Sequence, residues 1–270
     1  MFGNAPKALW SRWVKADERN CIRLACRALL LREQSGRHVL CEAGIGAFFS
    51  PELKARYGVC EDEHVLLASL KSLGLRHEDI DIVLLSHLHF DHAGGLISAW
   101  EANAPMRLLF PNARFIVSQS AWERALNPHS RDRASFIPEL QPLLEQSGRL
   151  ELVDVPYCDL LGDAYALHYS DGHTPGLLLA EIASDDGPLL FASDLIPGRA
   201  WVHLPVTMGY DRYPELVINE KQTLLKALAA RNGRLFFTHD PDIAMARVRP
   251  DAQGRFALTE TWATLDAQSL

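Results

Sequence analysis

Three histidines and an aspartate fall within six residues, in the run Ser86-His87-Leu88-His89-Phe90-Asp91-His92-Ala93-Gly94-Gly95. Imidazole nitrogens joined by a carboxylate oxygen suit zinc, and also iron, nickel or cobalt. A lone loop histidine is ordinarily a polar surface group. Three at this spacing, with an aspartate and an apolar flank, point to a metal. In extended chain, residues two apart project to the same side, so His87 and His89 can grip one ion. Asp91 and His92 come after the chain turns and would face a second position. The run Asp81-Ile82-Val83-Leu84-Leu85 just before reads as a buried strand, and Ala93 to Trp100 just after as a helix.

The run resembles the His-x-His-x-Asp-His signature of the metallo-β-lactamase superfamily. Later elements of that family's pattern follow in order: Gly172-His173-Thr174-Pro175-Gly176, then Ser193-Asp194, then Thr238-His239-Asp240. The resemblance implies that His87, His89 and His173 bind one metal. It assigns Asp91, His92 and His239 to a second, with Asp194 as the bridge. Two divalent ions are thereby expected, zinc first, with iron, manganese or cobalt as alternatives. The implied fold is α+β, the four-layer αββα sandwich. The implied chemistry is hydrolysis by a metal-bridging hydroxide, because metal binding lowers a water's pKa from about 15.7 toward ~7. Asp91 would carry a proton to the leaving group as a catalytic residue. One departure stands out: relatives usually have Asp-Thr-Gly where this chain has Glu42-Ala43-Gly44. Glu42 either orients a ligand or is a turn glutamate.

The layout looks most like the lactonase and organophosphate-hydrolase branch of the superfamily. A lactone or ester of a small, fairly apolar molecule is the expected substrate, with a phosphodiester or phosphotriester as the alternative. Di-iron redox relatives generally replace the second histidine of the signature, and here His89 is present. A non-catalytic binding protein would have lost ligands. The apolar stretch Ile196 to Tyr213 follows the bridging aspartate, and its Trp201 to Tyr213 part is expected to wall a substrate pocket, with Phe48 and Phe49 opposite. Within it Tyr210, or else Tyr213, is the candidate oxyanion donor.

The 270 residues are 48% hydrophobic and 23% charged, an ordinary globular composition. A net charge of −7 leaves no basic footprint for nucleic acid. The five cysteines are odd in number and form no Cys-x-x-Cys pair, which suggests a reducing, cytoplasmic compartment. No signal-peptide pattern opens the chain. The apolar Cys21 to Leu31 carries Arg23 and Arg27 and is too short to span a bilayer. The expected partner is a small-molecule substrate, with no membrane and with homodimerisation left open.

The elements that must position the ligands follow from hydrophobic pattern. Cys21 to Leu31 and Arg37 to Cys41 read as a hairpin around Gln34-Ser35-Gly36, and Glu63 to Leu73 as a helix ended by Gly74. Strands over Arg114 to Val117, Leu150 to Val155, Tyr165 to Ser170, Leu177 to Ile182, Leu189 to Ala192, Arg234 to Thr238 and Phe256 to Glu260 are expected. Helices are expected over Ser120 to Leu126, Pro138 to Gln146 and Leu216 to Arg231. Phe2, Trp10 and Trp13 mark residues 1–20 as an arm that docks on the body of a single domain, 1–270.

Overall fold

The computed structural model describes residues 1–265. The chain divides into two compact units: Cys26–Asp154, and a second that joins Met1–Ala25 to the residues from Val155 onward. The N-terminal piece carries one short helix, α1 (Lys7–Trp10).

The Cys26–Asp154 unit is built on five strands: β1 (Leu29–Arg32), β2 (His38–Cys41), β3 (Ile82–Leu84), β4 (Arg114–Ser118) and β5 (Leu150–Val153), in that spatial order. β1 and β2 are antiparallel, and every later neighbour pair is parallel. Parallel strands are covered on both faces, and β3 is accordingly apolar and buried throughout. Five helices accompany the sheet: α2 (Pro51–Tyr57), α3 (Val65–Ser72), α4 (Phe90–Ala93), α5 (Gln119–Leu126) and α6 (Leu140–Gln146). Ser50 caps α2 by accepting from Leu53 N, and Gly58 ends it at φ +68°. Leu40, Val83, Leu85, Leu96, Phe115 and Leu140 are among the side chains of the core.

His64 caps α3 in an unusual way. Its Nδ1 accepts from Leu67 N at 3.4 Å, and its Nε2 lies 3.0 Å from Gly95 O, which fixes the tautomer. Burial lowers its pKa, although the Gly95 carbonyl works in the opposite direction. A depressed folded pKa means that the unfolded chain takes up the proton first. The brace therefore contributes fully above about 6.5 and is lost as pH falls through the folded value. The apo chain is expected to lose stability on acidification below that pH, and His64→Asn to flatten that slope, as read by denaturant unfolding across pH.

The second unit holds β6 (Tyr165–Ser170), β7 (Leu177–Ile182), β8 (Leu189–Phe191), β9 (Arg234–Phe236), β10 (Met245–Pro250) and β11 (Phe256–Trp262), adjacent in sequence order. All pairs are antiparallel except β8 with β9. A parallel pair needs a long crossover, and this one contains α7 (Pro214–Ala230). Among the described residues, no helix is long and apolar enough to cross a membrane.

Two expectations are corrected, and one strand is added. Cys21 to Ala28 is not strand, because its backbone bonds elsewhere: Ile22 bridges Ala16 and Ala25 N donates to His239 O. The helix near the signature starts earlier, at Phe90, and stops at Ala93. Beyond it Gly94 and Gly95 press on the segment after β2, where a Cβ on Gly95 would lie 2.0 Å from Ala43 O, and Ile97 then pairs with Leu108. β10 was not expected at all, since Arg247, Arg249 and Pro250 disguise it. Arg247 is nevertheless buried, with its guanidinium bonded to Asp186, Asn232 and Glu260.

Candidate metal centre

In the Cys26–Asp154 unit, the parallel strands β2 and β3 end side by side and deliver Glu42 and His87. The rings of His87 and His89 stand 4.3 Å apart, and those of His87 and His92 stand 4.2 Å apart. His87 Nε2 faces His89 Nδ1 at 2.9 Å, while Ser86 Oγ takes the other nitrogen of His87 at 2.8 Å. Asp91 Oδ2 lies 3.7 Å from His92 Nε2. Two donors each about 2.0–2.2 Å from one tetrahedral zinc ion sit roughly 3.3 Å apart, so both pairs suit a shared cation. Glu42, His87 and His92 also bring ligand atoms within 4.8 Å of one another. Glu42 acts as a brace in this group: Oε1 accepts from Ser86 N at 3.1 Å and Oε2 meets His92 Nδ1 at 2.7 Å. That leaves His92 Nε2 turned to Asp91. Glu42 is fully buried and held at φ +70°, a backbone region uncommon for any residue but glycine. Its neighbour Cys41 is no rival nucleophile, because burial and then Glu42 push that thiol's pKa up.

In the other unit, β6 and β8 are both antiparallel to β7, and β8 is parallel to β9. The residues that follow these three strands therefore share one sheet edge, and they are His173, Asp194 and His239. Asp194 offers one oxygen to each imidazole: Oδ2 lies 3.2 Å from His173 Nε2, and Oδ1 lies 3.0 Å from His239 Nε2. It sits after Ser193, whose φ of +43° marks a strained turn. The far nitrogens are also engaged. His239 Nδ1 meets Ala25 O at 2.6 Å, and His173 Nδ1 meets Asp211 Oδ1 at 2.9 Å. A carboxylate or carbonyl on the second ring nitrogen fixes tautomer and orientation, as metal-binding histidines need.

Residues 22–239 match the sequence pattern of the Metallo-beta-lactamase superfamily. The chain belongs to that superfamily. Among its relatives, an N-acyl homoserine lactonase from Bacillus thuringiensis is 28% identical over 181 residues, covering 66% of this chain and 63% of that protein. This chain thus spans under two thirds of that relative's length. A probable metal-dependent hydrolase from Staphylococcus aureus has a similar structure, with TM-score 0.87 and 27% identity, covering 99% of this chain and 92% of the other. AidC, a dizinc quorum-quenching lactonase, superposes with TM-score 0.67 at 25% identity, covering 87% of this chain and 79% of AidC. The α+β fold with two mixed sheets is that of the superfamily.

In this member of the superfamily, the loop after Asp194 differs from expectation. Trp201, Val206 and Met208 are core residues. Phe2 of the arm stacks on Trp201 at 4.7 Å and on Trp10 at 5.4 Å, and its backbone bridges Met208. The apolar loop is thus covered by Phe2 of the N-terminal segment. Tyr210 and Tyr213 are both 56% exposed. Asp211, between them, is 1% exposed and was missed in the sequence, because its one signal is an acidic residue within an apolar loop.

Proposed function

We propose that the chain is a dinuclear metal-dependent hydrolase that opens the lactone ring of a small, acyl-bearing substrate. The seven ligand-type residues, His87, His89, Asp91, His92, His173, Asp194 and His239, would hold the two ions, zinc by preference for this donor set. The observation that carries the two-metal reading is Asp194, whose two oxygens face two different imidazoles. When bound, the ions supply Lewis acidity and acidify water from about 15.7 toward ~7.

The chain's own residues do the rest. Glu42 and Asp211 hold His92 and His173 in their ligating tautomers. Asp91, less buried than the histidines, would move a proton to the ring oxygen that leaves. Tyr210 is the candidate hydrogen-bond donor to the developing oxyanion. Phe48, Phe49, Tyr57 and Phe90 form an aromatic cluster whose ring centroids lie 4.2–5.2 Å apart. Phe48 is buried in the core rather than lining a pocket, and Phe90 lies between His89 and Asp91 in sequence, so Phe49, Tyr57 and Phe90 are the candidate apolar surface for the acyl chain. The same proposal takes the whole chain as one working domain, with residues 1–20 as an arm, in a cytoplasmic setting that suits its free cysteines.

The lactone reading draws on the lactonases among the relatives. Turnover of an N-acyl homoserine lactone, an aryl ester, a phosphodiester and a phosphotriester by the zinc-loaded chain tests it. The lactone should show the highest kcat/KM, and a phosphotriester in first place would reverse the assignment. Phe49→Ala should raise KM for long acyl chains more than for short ones, by roughly 1–3 kcal/mol. Equal KM changes at every chain length would remove the cluster from substrate binding.

A further inference from the structure

Two adjacent residues of α7 carry opposite charges and hold opposite backbone groups. Glu220 Oε2 accepts from Ser170 Oγ at 2.7 Å and from Gly172 N at 3.3 Å, and its Oε1 accepts from Asp171 N at 2.9 Å. Lys221 has no exposed surface. Its Nζ donates to the carbonyls of Trp201 at 3.0 Å, His203 at 3.2 Å and Val206 at 2.6 Å. An ammonium has three donors, and all three are used. A buried charge persists only when bonded in this way. Burial lowers the Lys221 pKa to about 8, and the Asp211 carboxylate opposes the fall.

One gripped segment ends at Gly172, directly before His173. The other ends at Val206, five residues before Asp211, which holds the His173 ring. The two segments are also tied to each other, Tyr213 N to Gly172 O at 2.8 Å and Arg212 N to His173 O at 3.2 Å. Gly172 has no room for a side chain, since a Cβ there would lie 2.6 Å from Val217 N on the same helix. Thus α7 touches both segments within little more than one turn, from Val217 to Lys221.

We propose that Glu220 and Lys221 are a pair of positioning residues: from one helix they set the register between the His173 turn and the Asp211 loop, and so aim the His173 ring at its metal. The pair touches neither substrate nor metal and acts through His173 and Asp211. The inference stands on the metal reading given above.

Zinc affinity of the full chain, measured by competition with a chromogenic chelator, tests this, with apo thermal stability recorded in parallel. Glu220→Ala and Lys221→Met should each weaken one zinc ion about tenfold. Glu220→Gln should recover part of the loss, because its amide oxygen can replace one carboxylate oxygen while its NH2 group opposes an N–H donor. Leu225→Ala is the control: it opens a cavity under the same helix and should leave zinc affinity unchanged. If Lys221→Met does not fold, the Glu220 variants decide. Parental zinc affinity in Glu220→Ala, or an equal loss in Leu225→Ala, overturns the pair as positioning residues. A parent chain that takes up no zinc overturns the metal reading itself.

Discussion

Asp194→Ala is expected to empty both metal positions and abolish hydrolysis, where loss of any one histidine weakens chiefly one. Asp194 is 5% exposed, and its two oxygens serve two imidazoles, His173 and His239. Removing it deletes a ligand from each position at once. It also leaves two buried rings without their carboxylate, at a cost of roughly 1–3 kcal/mol for each lost partner. With the ions gone, several kcal/mol of transition-state stabilisation disappear, and kcat/KM should fall by at least about a thousandfold. Metal analysis of Asp194→Ala beside His239→Ala checks the bridge. Two ions retained in Asp194→Ala would refute it.

Asp211→Asn is the second large effect. Both carboxylate oxygens accept N–H groups: Oδ1 from His173 Nδ1, and Oδ2 from Met208 N at 2.7 Å. An amide offers one acceptor only, so whichever way it turns, its NH2 meets another N–H. The site is 1% exposed, and water cannot repair the mismatch. If the amide oxygen stays on Met208 N, the His173 ring loses its tautomer lock. Loss of such a partner costs a metal site about 10–100-fold in affinity or activity. Zinc affinity and kcat should drop together, with KM little changed. A variant that keeps parental zinc affinity and kcat would show that Asp211 only closes its loop.

The candidate ligands are readable in the sequence because the chemistry that singles them out is local. His87, His89, Asp91 and His92 lie on one strand-to-turn segment, and His173, Asp194 and His239 each follow an apolar strand. Buried parallel strands such as β3 announce themselves as unbroken apolar runs. What stayed hidden depends on partners distant in the chain. Arg247 reads as a surface residue, yet it is buried because Asp186, 61 residues away, meets its guanidinium. Lys221 likewise looks like the polar face of a helix, and only the carbonyls 15 to 20 residues before it make its burial tolerable. Asp211 was concealed by the apolar loop around it, and that loop's real cover, Phe2, lies about 200 residues away in sequence. Glu42 was legible as a departure from the family pattern. Its brace on His92 emerged only with the side-chain geometry.

The central claim is that two ions work together on a lactone. The most direct measurement is hydrolysis of an N-acyl homoserine lactone by metal-free chain titrated with zinc, with bound zinc counted at each point. The rate should rise and level off at two equivalents per chain. A rate that levels off at one equivalent, or a metal-free chain as active as the loaded one, would contradict the account.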